Sequence, residues 1–170
     1  MLRRNLLVLG LALAGLAACG RSPGASGQGG VTGSRVFRIS DAEAQVIPYR
    51  MLESVNTLRR AAGAPQLALD AQLTAAAATH ARDMAVQNRP WHFGSDGSSP
   101  LDRLRRVGYS GGLVGEVISE SFEDDATTLS AWMDQRETRE TILDPTATRL
   151  GIAWFQEQGG KIWWTMVLGR

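Results

Sequence analysis

Apolar positions recur at helical spacing in several stretches of this chain, and at strand spacing mainly towards its C-terminus. Met51, Leu52, Val55 and Leu58 fall on one helical face that Gly63 closes. Ser40-Asp41-Ala42-Glu43 has the form of a capping box just upstream, yet Pro48 is expected to limit how far a helix begun there can run. After an extended link from Ala64 to Leu69, Asp70 caps the clearest helix. Its stripe is Leu73, Ala76, Ala77, His80, Ala81, Met84 and Ala85, and Asn88-Arg89-Pro90 ends it. Ser98-Ser99-Pro100 opens a short helix carrying Leu101, Leu104 and Val107, stopped at Gly108. Asp124 and Asp125 begin another, with Leu129, Trp132 and Met133 inward and a break at Leu143-Asp144-Pro145.

Strand patterns are fewer. Val36 to Ile39 and Leu113 to Ser119 are short candidates. Leu150 to Gln156 and Ile162 to Leu168 form a hairpin through Gln158-Gly159-Gly160. Ile162, Trp164 and Met166 share one face of its second strand, and Trp163 and Val167 share the other. A hairpin apolar on both faces must be covered on both. The expected fold is therefore α+β: a three-layer α-β-α sandwich with a central antiparallel sheet, Trp132, Trp154, Trp163 and Trp164 lying in its core.

The first residues add an address. Met1-Leu2-Arg3-Arg4 and the apolar run Leu6 to Leu16 have the form of a secretory signal, expected to span residues 1–18. The run is shorter than the about 20 apolar residues a spanning helix needs. Leu16-Ala17-Ala18-Cys19 resembles the lipobox of bacterial lipoproteins, which implies cleavage before Cys19 and attachment of lipid, palmitate included, to that residue. Residues 19–35, rich in Gly and Ser, read as a tether, and residues 36–170 as the domain it carries. Arg3 and Arg4 leave with the signal, which takes the net charge from +1 to −1 and gives no electrostatic basis for binding nucleic acid. Cys19 is the single cysteine, so disulfides and thiol chemistry are excluded from the folded part.

The stretch Trp91-His92-Phe93-Gly94-Ser95-Asp96-Gly97, between two helical patterns, is where binding or chemistry would sit. It leads to a resemblance carried by Ser54 to Gly63, by Leu69-Asp70 through His80 to Ala85, by Pro90-Trp91-His92, Asp96-Gly97, Asp102-Arg103, Gly108-Tyr109 and Gly115-Glu116, and by Arg139 to Leu143, Gly151 and Trp164-Thr165. In this order the set resembles the CAP superfamily in its bacterial SCP-like branch. That resemblance implies a cleft lined by two histidines and two acids. His92 matches the first histidine and Glu116 the acid of a Gly-Glu-Asn motif, Val117 replacing its asparagine. Thr138 stands for the second histidine and Gln135 for the second acid, so half of the set has changed.

Two ligands fall short of the about three that a catalytic zinc needs, so no cofactor is expected beyond a weakly held divalent metal at His92 and Glu116. His80 reads as a packed, hydrogen-bonded core histidine. A hydrolase with His92 as base, Glu116 as partner and Ser95, Ser98 or Ser99 nearby is the enzymatic alternative. Glu120, Glu123, Asp124 and Asp125 read as carboxylates at a helix start, and Arg103, Arg105 and Arg106 as a solvated helix face. The expected protein is an envelope-anchored, non-enzymatic binding module. Its cleft of His92, Glu116, Gln135 and Thr138 would take a small apolar ligand, a cell-wall component or an envelope partner, and its lipid the membrane.

Overall fold

The computed structural model describes residues 36–170; the expected signal peptide, Cys19 and tether lie outside the described residues. Helix α1 spans Asp41–Ala61, opened by the Ser40/Glu43 capping box. It runs through Pro48 rather than stopping there. The interior proline costs about 3 kcal/mol or more. Burial of Ile47, Met51 and Val55 on one stripe offsets it, as does the ion pair from Arg50 to Asp125 at 2.5 Å.

Two residues of α1 fasten the link that follows. Asn56 donates to Leu67 O at 3.0 Å and accepts from Leu67 N at 2.7 Å. Arg59, fully buried, donates to the carbonyls of Pro65, Ile142, Asp144 and Ala147. These contacts set down the two-residue strand β1, Ala68–Leu69, and lead directly to Asp70, the cap of helix α2, Ala71–Gln87.

Helix α3 covers Pro100–Arg106, strand β2 Leu113–Glu120, helix α4 Asp125–Asp134 and helix α5 Arg136–Leu143. Where one helix was expected after Asp124 there are two, because Gln135 is extended (φ −90°, ψ 134°). Strands β3, Arg149–Gln156, and β4, Ile162–Gly169, make the hairpin. The sheet order is β1-β3-β4-β2. The three long strands are antiparallel, and β1 adds a short parallel edge on β3, so the sheet is mixed. Val36 to Ile39 form no strand. Gln156 holds them as a strap instead, donating to Phe37 O at 2.9 Å and accepting from Ile39 N at 3.1 Å.

The hairpin faces divide as its alternation predicts. Ile162, Trp164 and Met166 enter a core with Val55, Trp132 and Ile142 of α1, α4 and α5. Val167 enters a smaller one with Leu73, Ala76, Ala77 and Leu104 of α2 and α3. The alanines let α2 lie close to the sheet. A Cβ at Gly151 would overlap the backbone of Leu73 and Thr74. Gly151→Ala must therefore push helix and strand apart. Overpacking of this kind costs about 1–3 kcal/mol, and a lowered urea midpoint with an unchanged slope is the expected result.

Candidate functional site

The loop after α2 is held from the helix itself. Gln87 accepts from Trp91 Nε1 at 2.6 Å and donates to Phe93 O at 3.1 Å, and Asp83 accepts from Ser95 N at 2.7 Å. Gly97, at φ +79°, closes the turn, with Gly97 N donating to Gly94 O at 2.8 Å. This loop brings His92 over strand β2, where its Nδ1 stands 3.0 Å from Glu116 Oε1.

Glu116 is the centre of the site. Its side chain is 2% exposed, whereas that of His92 is 49% exposed. Arg103 of α3 donates from Nη2 to both carboxylate oxygens at 2.9 and 2.8 Å. The same guanidinium reaches His92 O and Ser98 O, so it ties the carboxylate to the loop. His80 of α2, with no exposed side-chain surface, lies 3.6 Å from Glu116 Oε1 and 2.9 Å from Trp91 O. Trp91 O only accepts, so Nε2 of His80 carries a proton. His80 Nδ1 is buried without a partner.

Charge follows from this packing. Burial pushes the Glu116 carboxyl up, but the hydrogen bond from His92 and the charge and hydrogen bonds of Arg103 outweigh it and hold the group below its ordinary range. Burial pushes the His80 imidazole down, against the attraction of Glu116 and together with the repulsion of Arg103. The cluster is thus a carboxylate beside a guanidinium and a neutral buried imidazole.

Strand alternation turns Glu116 away from its two neighbours on β2. Gly115 and Val117 face α5 and the larger core: a Cβ at Gly115 would come within 2.5 Å of Thr141 Cγ2. Glu116 faces α2 and α3. Thr138 is instead spent on the carbonyls of Trp132 and Gln135 at the break between α4 and α5, and its recorded hydrogen bonds reach neither His92 nor Glu116. Arg103, read as part of a solvated face, is buried, while Leu101 of the same helix is exposed. Asp83 and Gln87 were also missed, although α2 presents them one turn apart towards the loop.

The serines are engaged elsewhere. Ser95 donates to Asp83, Ser98 N donates to Asp96 Oδ1 at 2.9 Å, and Ser99 caps α3. In the acidic run, Asp124 caps α4, Asp125 pairs with Arg50 and Glu120 with Lys161. The donors do not fit a metal at Glu116. Both of its oxygens face Arg103, His80 Nε2 is turned to a carbonyl, and only His92 could add a nitrogen. Among the described residues no three His, Cys, Asp or Glu side chains are placed to hold an ion.

An α-β-α sandwich with a buried acid beneath a histidine loop defines a protein class. Residues 52–168 match the CAP family, the cysteine-rich secretory protein family, and the chain belongs to it. It is 26% identical over 141 residues to the uncharacterized protein YkwD of Bacillus subtilis (strain 168), covering 82% of this chain and 54% of that one. This chain therefore spans about half the length of that relative. An outer surface protein of Borrelia burgdorferi shares the fold at TM-score 0.69 and 15% identity, over 75% of this chain and 94% of that one. An extracellular SCP-domain protein of Bacillus anthracis str. Ames does so at TM-score 0.69 and 23% identity, over 78% and 44%.

Removing one partner of a buried pair costs about 3–5 kcal/mol, so Arg103→Met should lower stability by that order in urea unfolding. His92→Ala, on an exposed ring, should cost within about 1 kcal/mol. The pH dependence has a definite sign. Both His80 and Glu116 titrate lower in the folded state, so the unfolded chain binds protons more readily and stability falls on acidification. The loss should begin below about pH 6.5, where an unfolded histidine protonates, and deepen in the carboxylate range. His80→Gln should remove the first phase from a plot of urea midpoint against pH.

Proposed function

We propose that this CAP domain is an exported, lipid-anchored and non-enzymatic binding module of a bacterial envelope, taking a small apolar ligand between α1 and α4. The observation that carries the reading is a solvent-open groove of about 570 Å³ there. Leu58, Leu129 and Met133 give it apolar walls, and Glu53, Ser54, Thr57 and Ser130 line it with polar groups. That size and mixture suit a small ligand, with apolar walls for affinity and a few polar groups for orientation. The groove lies on the α1/α4 side of the sheet, so the His92–Glu116 pair serves to fix its loop rather than to touch this ligand. The reading needs no cofactor.

The address rests on Met1 to Cys19, whose signal and lipobox form implies a lipid on Cys19. The extracellular and outer-surface origins of the two structural neighbours agree with export. No helix among the described residues is long and apolar enough to cross a membrane. Mass spectrometry of the mature N-terminus should find Cys19 carrying lipid; an unmodified Cys19 would remove the anchor from this reading.

One observation favours a hydrolase as the second reading. His92 gives Nδ1 to Glu116, which leaves Nε2 on a half-exposed ring where a general base would present it. The two readings part on experiment. A fluorescent fatty acid should bind the purified protein, and Ala126→Trp, which fills the groove, should weaken it at least about tenfold, a loss of about 1.4 kcal/mol. His92→Ala should leave that affinity unchanged. Ester or peptide turnover abolished by His92→Ala, with no fatty-acid binding, would replace the module with the enzyme.

A further inference from the structure

One end of the domain gathers features that neither the groove nor the Glu116 cluster uses. Helix α2 runs along β3 from Gly151, under Leu73, towards Phe155, beside Arg82. Its C-terminus therefore lies at the end of the sheet that carries the β3–β4 turn, where Lys161 Nζ meets Asn88 Oδ1 at 3.2 Å. The described chain also begins at this end. Val36 packs on Gly160, and Arg38 donates to the carbonyls of Glu157 and Gln158.

The surface here carries apolar and basic side chains, with Glu157 beside Arg82 and Phe155 and Lys161 paired with Glu120. Val86 is 76% exposed on the outer side of α2, and Phe93 is 48% exposed. Trp91 stands against Phe93 with ring centroids 5.5 Å apart. Arg89 lies 3.8 Å over the Trp91 ring, and Arg82 lies 5.1 Å over Phe155. Neither arginine makes an ion pair among the described residues, so both guanidiniums are available to an anionic partner. Exposed aromatics with flexible cations beside them suit the boundary between lipid headgroups and acyl chains, where the rings are half immersed and the guanidiniums meet phosphate.

We infer that this end, formed by Arg82, Val86, Arg89, Trp91, Phe93 and Phe155, docks on the anionic lipid surface to which the chain is anchored. The inference rests on the lipid-anchor reading, in which residues 19–35 join Cys19 to Val36 at this end of the domain. A lipid chain alone binds membranes only marginally, and a second, electrostatic contact makes attachment stable.

The folded part has no cysteine, so single-cysteine variants can carry an environment-sensitive fluorophore. Phe93→Cys and Val86→Cys would be labelled in the mature lipidated protein, with Ser110→Cys, exposed near the opposite end of the sheet beside Arg170, as reference. On vesicles containing phosphatidylglycerol, the labels at 86 and 93 should shift to the blue and lose most of their emission to brominated lipid, while the label at 110 stays in water. Arg82→Glu with Arg89→Glu should return the two labels to water and lower the fraction of protein bound to the vesicles. Labels at 86 and 93 that remain in water on bound protein would overturn the docking and leave the anchor intact. A mature chain found without lipid would overturn the anchor, and the same labels with the same vesicles would still decide the docking. A shift produced by isolated cell-wall glycan and not by vesicles would overturn it in favour of a glycan partner.

Discussion

A carboxylate out of reach of water has to be answered by positive charge and hydrogen bonds, and Glu116 is such a group. Its strand cannot turn it outward, because Gly115 and Val117 are committed to the opposite face. The requirement is met from three separate elements: Arg103 on α3, His92 on the loop and His80 on α2. Each answer constrains its own segment. Arg103 also holds the carbonyls of His92 and Ser98, so the acid on the sheet fixes the shape of a loop that has few apolar anchors of its own.

The sheet separates the two candidate sites of the molecule. On one face α2 packs nearly backbone to backbone with β3 at Gly151, which leaves room for a polar cluster but little for a ligand. On the other, α1 and α4 pack together, and a groove lies along their junction, lined by Leu58, Leu129 and Met133. The polar cluster and the apolar groove thereby lie in different layers. The close approach of α2 follows from side-chain size, since alanines bring a helix close.

Much of the fold was legible because it depends on local rules. The caps at Ser40, Asp70, Ser99 and Asp124 stand where short polar side chains precede helical stripes. The two-faced apolar strand β4 required helices on both sides, and both are present. The departures come where a local preference met tertiary packing. Pro48 did not stop α1, since residues on both sides of it are buried. Val36 to Ile39 found a glutamine side chain rather than a strand partner.

The site divides in the same way. His92 and Glu116 could be named as partners from their order in the chain, because the resemblance covers both. The face that Glu116 takes could not be named in this way, since it depends on the register of β2 against β4. Nor could Arg103 be told from its neighbours Arg105 and Arg106 by composition. What the sequence determined by itself was periodic and local: helices, caps and a hairpin with two apolar faces. What the tertiary structure alone decided was which charges lost their water, because desolvation is a property of the assembled layers and not of any segment.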